Sequence, residues 1–185
     1  MPSGPGVISE QRIADIAARI PPGVSSFLLT SLQNPDQIIA QHRRCRTSTL
    51  QCCDRLEPGA YPVLRQALPG ISLVQVIHVT GNESVDEALQ AANDADALLI
   101  DSGNPALSVK ELGGTGRVHN WQISRRICDL SPVPVYLAGG LTAENVADAV
   151  TTVCPFGVDI CSGVRTNGKL DAEKLSRFVN ALQTC

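Results

Sequence analysis

Short apolar runs alternate with amphipathic stretches along the whole chain, and that alternation leaves few folds open. Ser26–Thr30, Ser48–Cys53, Leu73–Val79 and Ala97–Asp101 read as strands, with a fifth at Val133 and a sixth at Val158. The first helix is expected from an N-cap at Ser9 to about Arg19, with Ile13, Ile16, Ala17 and Ile20 on one face. Others are expected from Asn34 or Asp36 to about Arg44, across Tyr61, Leu64 and Leu68, from Glu83 to Ala92, from Trp121 to Leu130 and from Thr142. A last helix carries Leu175, Phe178 and Leu182. Strand and helix alternating without a break predict an α/β fold with a parallel sheet and right-handed crossovers. At 185 residues the chain reads as one domain over 1–185. It is short for a complete (β/α)₈ barrel, which takes about 250 residues. Only six strands are visible, and the chain opens on a helix.

The sharpest local pattern is Pro134-Val-Tyr-Leu-Ala-Gly-Gly-Leu141 followed by Thr142-Ala-Glu-Asn-Val146. It predicts a buried strand, a paired-glycine turn at Gly139 and Gly140, and a helix start. Bare amides at such a junction suit an anion, most often phosphate, although a tight ligand-free turn fits equally well. Phe156-Gly-Val-Asp-Ile-Cys-Ser-Gly163 repeats the pattern and ends at Ser162 and Gly163. Two consecutive units of this kind fit the end of a barrel where phosphate is commonly held.

In parallel α/β proteins, function gathers at the C-terminal ends of strands. Asp101 ends one such run and is a candidate general acid, with loop capping as the alternative. Gly113, Gly114 and Gly116 stand in a long polar loop between Ser102 and His119, suited to wrapping a polar ligand or to forming a lid. Cys53 beside Asp54 is a candidate base or nucleophile. His78 reads as a structural histidine, and Asp159 as a residue that orients backbone or packs against a polar partner.

Composition narrows the partners. A net charge of −3 with mixed signs, and 3% aromatic residues, give no electrostatic or stacking case for nucleic acid. Arg43, Arg44 and Arg46 read as the decorated end of a helix. No apolar run approaches the roughly 20 residues that span a bilayer. The first six residues lack the features of a signal peptide. The expectation is a cytoplasmic protein with no membrane partner. Seven cysteines at spacings unlike a zinc site predict reduced thiols and no metal.

Four stretches, taken together and in order, resemble phosphoribosylanthranilate isomerases. They are Leu99-Ile-Asp-Ser102, Gly113-Gly-Thr-Gly-Arg-Val-His-Asn-Trp121, Leu137-Ala-Gly-Gly-Leu141 with Glu144-Asn-Val146, and Pro155-Phe-Gly-Val-Asp-Ile-Cys-Ser-Gly-Val164. The resemblance implies a (β/α)₈ barrel and one step of tryptophan biosynthesis. That step is the cofactor-free Amadori rearrangement of N-(5-phosphoribosyl)anthranilate to the 1-deoxyribulose 5-phosphate derivative. It implies Asp101 as the acid that protonates the ribose ring oxygen. Gly139, Gly140, Ser162 and Gly163 would hold the phosphate of the sugar substrate, and Gly113, Gly114 and Gly116 would belong to a mobile loop. The family's base is a cysteine in a Lys-x-Cys-Gly stretch that this sequence does not contain; a substitute base would be Cys53 or His78. Gly6 stands where the family has an arginine for the anthranilate carboxylate. His119-Asn120-Trp121 stands for Phe-Asp-Trp, and Arg165 for a usual glutamate. The sequence thus reads as a barrel-type fold lacking a first βαβ segment, with a second copy as one way to cover its open sheet edges. A sugar-phosphate-binding protein without catalysis is the alternative function.

Overall fold

The computed structural model describes residues 7–103 and 120–183. Six strands form one parallel sheet in chain order: β1 Phe27–Thr30, β2 Thr49–Cys52, β3 Ser72–His78, β4 Ala97–Asp101, β5 Val135–Leu137 and β6 Gly157–Val158. The helices are α1 Glu10–Ala17, α2 Pro35–Cys45, α3 Ala60–Ala67, α4 Glu83–Ala91, α5 Trp121–Leu130, α6 Val146–Val153 and α7 Ala172–Leu182. The α/β class and the six strands of the parallel sheet agree with the sequence reading. Among the described residues, no helix is long and apolar enough to cross a membrane.

The chain divides into two compact units. One runs to Val76 and includes Asp94–Asp96; the other holds Ile77–Asn93 and the chain from Ala97 onward. In the first unit, β2 lies between β1 and β3, with Leu50 level with Leu28 and Leu73. The core there is Leu28, Ile38, Leu50, Cys52, Leu64 and Leu73, each at most 2% exposed. β1 is buried on one face only: Phe27 and Leu29 are 39% and 47% exposed, while Leu28 and Thr30 are closed off. The cap of α2 is Asn34, whose Oδ1 accepts from the amides of Asp36 and Gln37, with Pro35 in the first turn. Arg43 and Arg44 lie in the last turn of this helix, where positive charge complements its dipole, and Arg46 is its left-handed C-cap. Arg44 also pairs with Glu10 of α1.

Arg65 of α3 grips Asp96 with two nitrogens, at 2.7 and 2.8 Å, and Asp96 Oδ2 accepts the Leu73 amide at 2.7 Å. Arg65, foremost, holds the Asp96 carboxyl below its ordinary range. A depressed carboxylate stabilises the fold above its unfolded pKa of about 4, and that stability is lost as pH falls through the lower folded value. Both side chains keep solvent contact, so the effect is limited to about 1 kcal/mol. Asp96→Asn is expected to lower Tm by about 2–4 °C at neutral pH, with the gap to the parent closing as pH falls below the unfolded carboxylate value of about 4; thermal melts across that range check it.

In the second unit, Ile100, Leu137 and Val158 stand level across β4, β5 and β6. Leu98, Ile100, Ile127, Leu137, Val146 and Val153 are fully buried. Asn120 caps α5 through the Gln122 amide, as expected. Helix α6 begins at Val146 rather than at Thr142. Asn145 explains the delay: its Oδ1 accepts the Thr142 amide at 2.8 Å, and its Nδ2 donates to Gly140 O at 3.0 Å. These side-chain bonds fold residues 142–145 into a turn of their own before the helix starts.

Candidate active site

Asp101 is the last residue of β4 and 6% exposed. The strand's apolar run buries it, while the end of the strand frees its carboxyl from the sheet. Oδ1 accepts the Ser102 amide at 2.7 Å and lies 3.5 Å from Ser102 Oγ. Gly139, two residues past the end of the neighbouring β5, leaves the room this needs. A Cβ there would stand 3.0 Å from Asp101 Oδ1, Ser102 N and Ser102 Oγ, and φ is +87°. The structure thus brings Asp101 and Gly139 together, and the glycine is required both by conformation and by space.

Gly140 follows at φ +65°, and its carbonyl is held by Asn145. Ser162 and Gly163 lie in a single 3₁₀ turn, Ser162–Val164, after β6. The two loops are in direct contact. A Cβ on Gly163 would fall 2.0 Å from the Leu141 carbonyl oxygen. Gly140, Leu141, Thr142, Ala143, Glu144, Ser162, Gly163, Lys174 and Arg177 line one cleft of about 310 Å³. Two cations therefore stand at its wall. Lys174 Nζ donates to Arg165 O at 3.0 Å, and Arg177 meets Glu144 at 3.4 Å. The Thr142 hydroxyl, its own amide and then these cations keep Glu144 below its usual range. Small residues, backbone amides and two cations at one cleft suit an anion such as a phosphate monoester.

Past the 3₁₀ turn comes a feature the sequence reading did not anticipate. Arg165–Thr166 and Lys169–Leu170 (β7 and β8) form an antiparallel hairpin around Asn167 and Gly168, both at positive φ. Asn-Gly is the strongest short hairpin signal and stood in plain sight. Arg165 Nη1 donates to Gly168 O at 3.1 Å, so this residue serves the hairpin.

Asp159 was read as a packing residue. It follows β6, its amide donating to Leu137 O at 2.8 Å, and its side chain keeps solvent contact. Desolvation raises its carboxyl pKa, and the Asp101 charge adds to the rise. Cys53 lies in the other unit, immediately after β2; it is 1% exposed, with Sγ 3.7 Å from Gln51 O. His78 ends β3 at 7% exposure, its carbonyl accepting from Ser84 Oγ. Gly113, Gly114 and Gly116 lie outside the described residues.

The family model described as N-(5'-phosphoribosyl)anthranilate (PRA) isomerase matches residues 36–181. Among similar proteins, the N-(5'-phosphoribosyl)anthranilate isomerase of Natronomonas pharaonis is 38% identical over 184 residues, covering 98% of this chain and 82% of the relative. That of Methanocella arvoryzae is 30% identical, covering 97% and 82%. Among solved structures, phosphoribosyl anthranilate isomerase from Thermotoga maritima superposes with a TM-score of 0.80 at 24% identity, over 100% of this chain and 85% of its own. The Pyrococcus furiosus enzyme gives 0.77 at 22%, over 96% and 82%. Another phosphoribosyl anthranilate isomerase structure, at 0.77 and 22% over 100% and 84%, is a complex with reduced 1-(o-carboxyphenylamino)-1-deoxyribulose 5-phosphate. These likenesses give the fold a barrel-type ancestry.

Proposed function

Because the chain belongs to the N-(5'-phosphoribosyl)anthranilate isomerase family, we propose that its strand-end site carries out the family's rearrangement with Asp101 as proton donor. The chain is an isomerase of tryptophan biosynthesis, acting on a phosphorylated sugar. Asp101 gives its proton to the ribose ring oxygen as the ring opens, and the anthranilate nitrogen supplies the electron pair that forms the imine. A buried strand-end carboxyl beside a glycine that keeps space open for it is the observation that carries this reading.

The substrate phosphate is assigned to the cleft lined by Gly140, Ser162 and Gly163, with Gly139 just before it in the chain and Lys174 and Arg177 adding positive charge at its wall. Gly113, Gly114 and Gly116 are assigned to the loop over the substrate on the resemblance of their motif. The working form is taken to be cytoplasmic and to need neither cofactor nor metal. We also take residues 1–185 as one functional domain. Self-association would act on the exposed Phe27 and Leu29 of β1, and sedimentation of the parent against a Phe27→Ser, Leu29→Ser variant reads it out.

The reading predicts that this chain lets a tryptophan auxotroph lacking the isomerase grow without tryptophan, and that Asp101→Asn does not. Failure of the parent chain, expressed and folded, overturns it. Cys53 is taken as a possible substitute for the family's cysteine base, whose Lys-x-Cys-Gly stretch this sequence does not contain. If it takes the substrate proton, Cys53→Ser is nearly as damaging as loss of Asp101, about 10²–10⁴-fold in kcat. Parent-level turnover in that variant removes Cys53 from the mechanism.

A further inference from the structure

A carboxylic acid that gives up a proton must hold it on a defined oxygen. It has one hydroxyl oxygen and one carbonyl oxygen, and only the first donates. At Asp101 the surroundings distinguish the two. Oδ1 accepts the Ser102 amide at 2.7 Å and the Ser102 hydroxyl at 3.5 Å. A proton on Oδ1 would meet both donors, so the O–H bond belongs on Oδ2. The amide bond by itself is an ordinary strand-end arrangement: Asp54, just after β2, accepts the Arg55 amide at 2.8 Å in the same way. Asp101 has in addition a hydroxyl on the next residue and a glycine facing the pair. A Cβ on Gly139 would stand 3.0 Å from Asp101 Oδ1, Ser102 N and Ser102 Oγ alike. Any side chain there would press on all three atoms, and the bare backbone of Gly139 lets them close on one another. Asp101 is 6% exposed, and burial strengthens bonds of this kind.

We propose that Ser102 is a positioning residue of this isomerisation: against the bare backbone of Gly139 it holds Oδ1 of Asp101 as an acceptor, and so places the transferable proton on Oδ2. The inference rests on the isomerase reading above. In the step it serves, the Oδ2–H bond breaks and the proton goes to the ribose ring oxygen. The C1′–O pair goes to that oxygen, and the anthranilate nitrogen pair forms C1′=N. The O–H pair stays on Asp101, and the new negative charge spreads to Oδ1, where the Ser102 N–H and O–H meet it. Bonds to an ionised acceptor are shorter and about twice as strong as neutral ones, so they stabilise the transition state more than the ground state. Bonds to catalytic groups are often long at rest and tighten as the reaction proceeds, which suits the 3.5 Å of the hydroxyl. Water restores the proton on Oδ2 before the next turnover, since the rearrangement as a whole neither takes up nor releases one.

The test compares the parent chain, Ser102→Ala and Ser102→Thr on phosphoribosylanthranilate, in H2O and in D2O. Expected for Ser102→Ala is a fall in kcat of about tenfold, the loss of one charge-assisted bond, with affinity for reduced 1-(o-carboxyphenylamino)-1-deoxyribulose 5-phosphate held within threefold. The solvent isotope effect on kcat should rise in that variant, because proton transfer from Asp101 becomes slower. Ser102→Thr keeps a hydroxyl and should be faster than Ser102→Ala. A merely structural role would lower affinity together with rate and leave the isotope effect unchanged; that result overturns the proposal. So does a Ser102→Ala rate within twofold of the parent, or a Ser102→Thr rate no higher than that of Ser102→Ala. If Ser102→Ala does not fold, a folded Ser102→Cys, nearly the same size but a weaker donor, overturns the proposal by matching the parent in rate and isotope effect. Absence of turnover by a folded parent overturns the isomerase reading, and this proposal with it; parent turnover that Ser102→Ala leaves untouched overturns this proposal alone.

Discussion

Asp101→Asn is expected to reduce kcat by about 10²–10⁴-fold, the usual contribution of a positioned acid, while binding of the reduced product analogue stays nearly unchanged. Asparagine preserves shape and can still accept the Ser102 amide at the position of Oδ1. Gly139 still leaves room for it. What disappears is a transferable proton. The split between rate and affinity separates chemistry from packing, because removing an interaction made only in the transition state lowers kcat and leaves substrate binding intact. A parallel loss of analogue affinity would mean that Asp101 chiefly organises its loop.

Gly163→Ala is expected to damage the opposite property. The new methyl would sit 2.0 Å from the Leu141 carbonyl oxygen and 3.2 Å from Ile160 Cδ1. A backbone carbonyl cannot swing aside as the tip of a side chain can, so the two loops must part. Overpacking of this kind costs about 1–3 kcal/mol of stability. The cleft those loops share should lose its shape at the same time, so inorganic phosphate is expected to bind at least about tenfold more weakly, roughly 1.4 kcal/mol. Calorimetric titration with phosphate and a thermal melt of the same preparation check both. Unchanged phosphate affinity would place the anion elsewhere. Gly168→Ala gives the contrast: nothing lies within 4 Å of its missing Cβ, but its φ is +76°, so that variant reads backbone strain without overpacking.

The strand ends were legible because period and composition agree there. The run Ala97–Asp101 is wholly buried, and Asp101 terminates it where the sequence said it would. The helix caps at Ser9 and Asn120 were equally readable, since both use a side-chain oxygen that accepts a backbone amide two or three residues on. At α2 the sequence left Asn34 and Asp36 open, and the Asn34 contacts decide it. Residues 142–145 were misread because Asn145 competes for backbone groups that a helix would otherwise use. The β7–β8 hairpin escaped because two-residue strands carry no period, although Asn167-Gly168 signalled it.

The site was legible in part. Gly139 was singled out as a ligand-binding glycine; what the structure shows at it is space for Asp101 and Ser102. The reach of Lys174 and Arg177 to the cleft lined by Gly140 and Gly163 could not be read from sequence, because α7 lies far along the chain from Gly140.

The central claim, that this chain performs the isomerisation through the strand-end carboxyl of Asp101, is tested most directly by purified protein and freshly made phosphoribosylanthranilate. The loss of substrate fluorescence is followed, with Asp101→Asn alongside. The account predicts turnover by the parent chain that falls by at least about a hundredfold in the variant. Equal rates in the two proteins, or no turnover by a folded parent that still binds the product analogue, would contradict it.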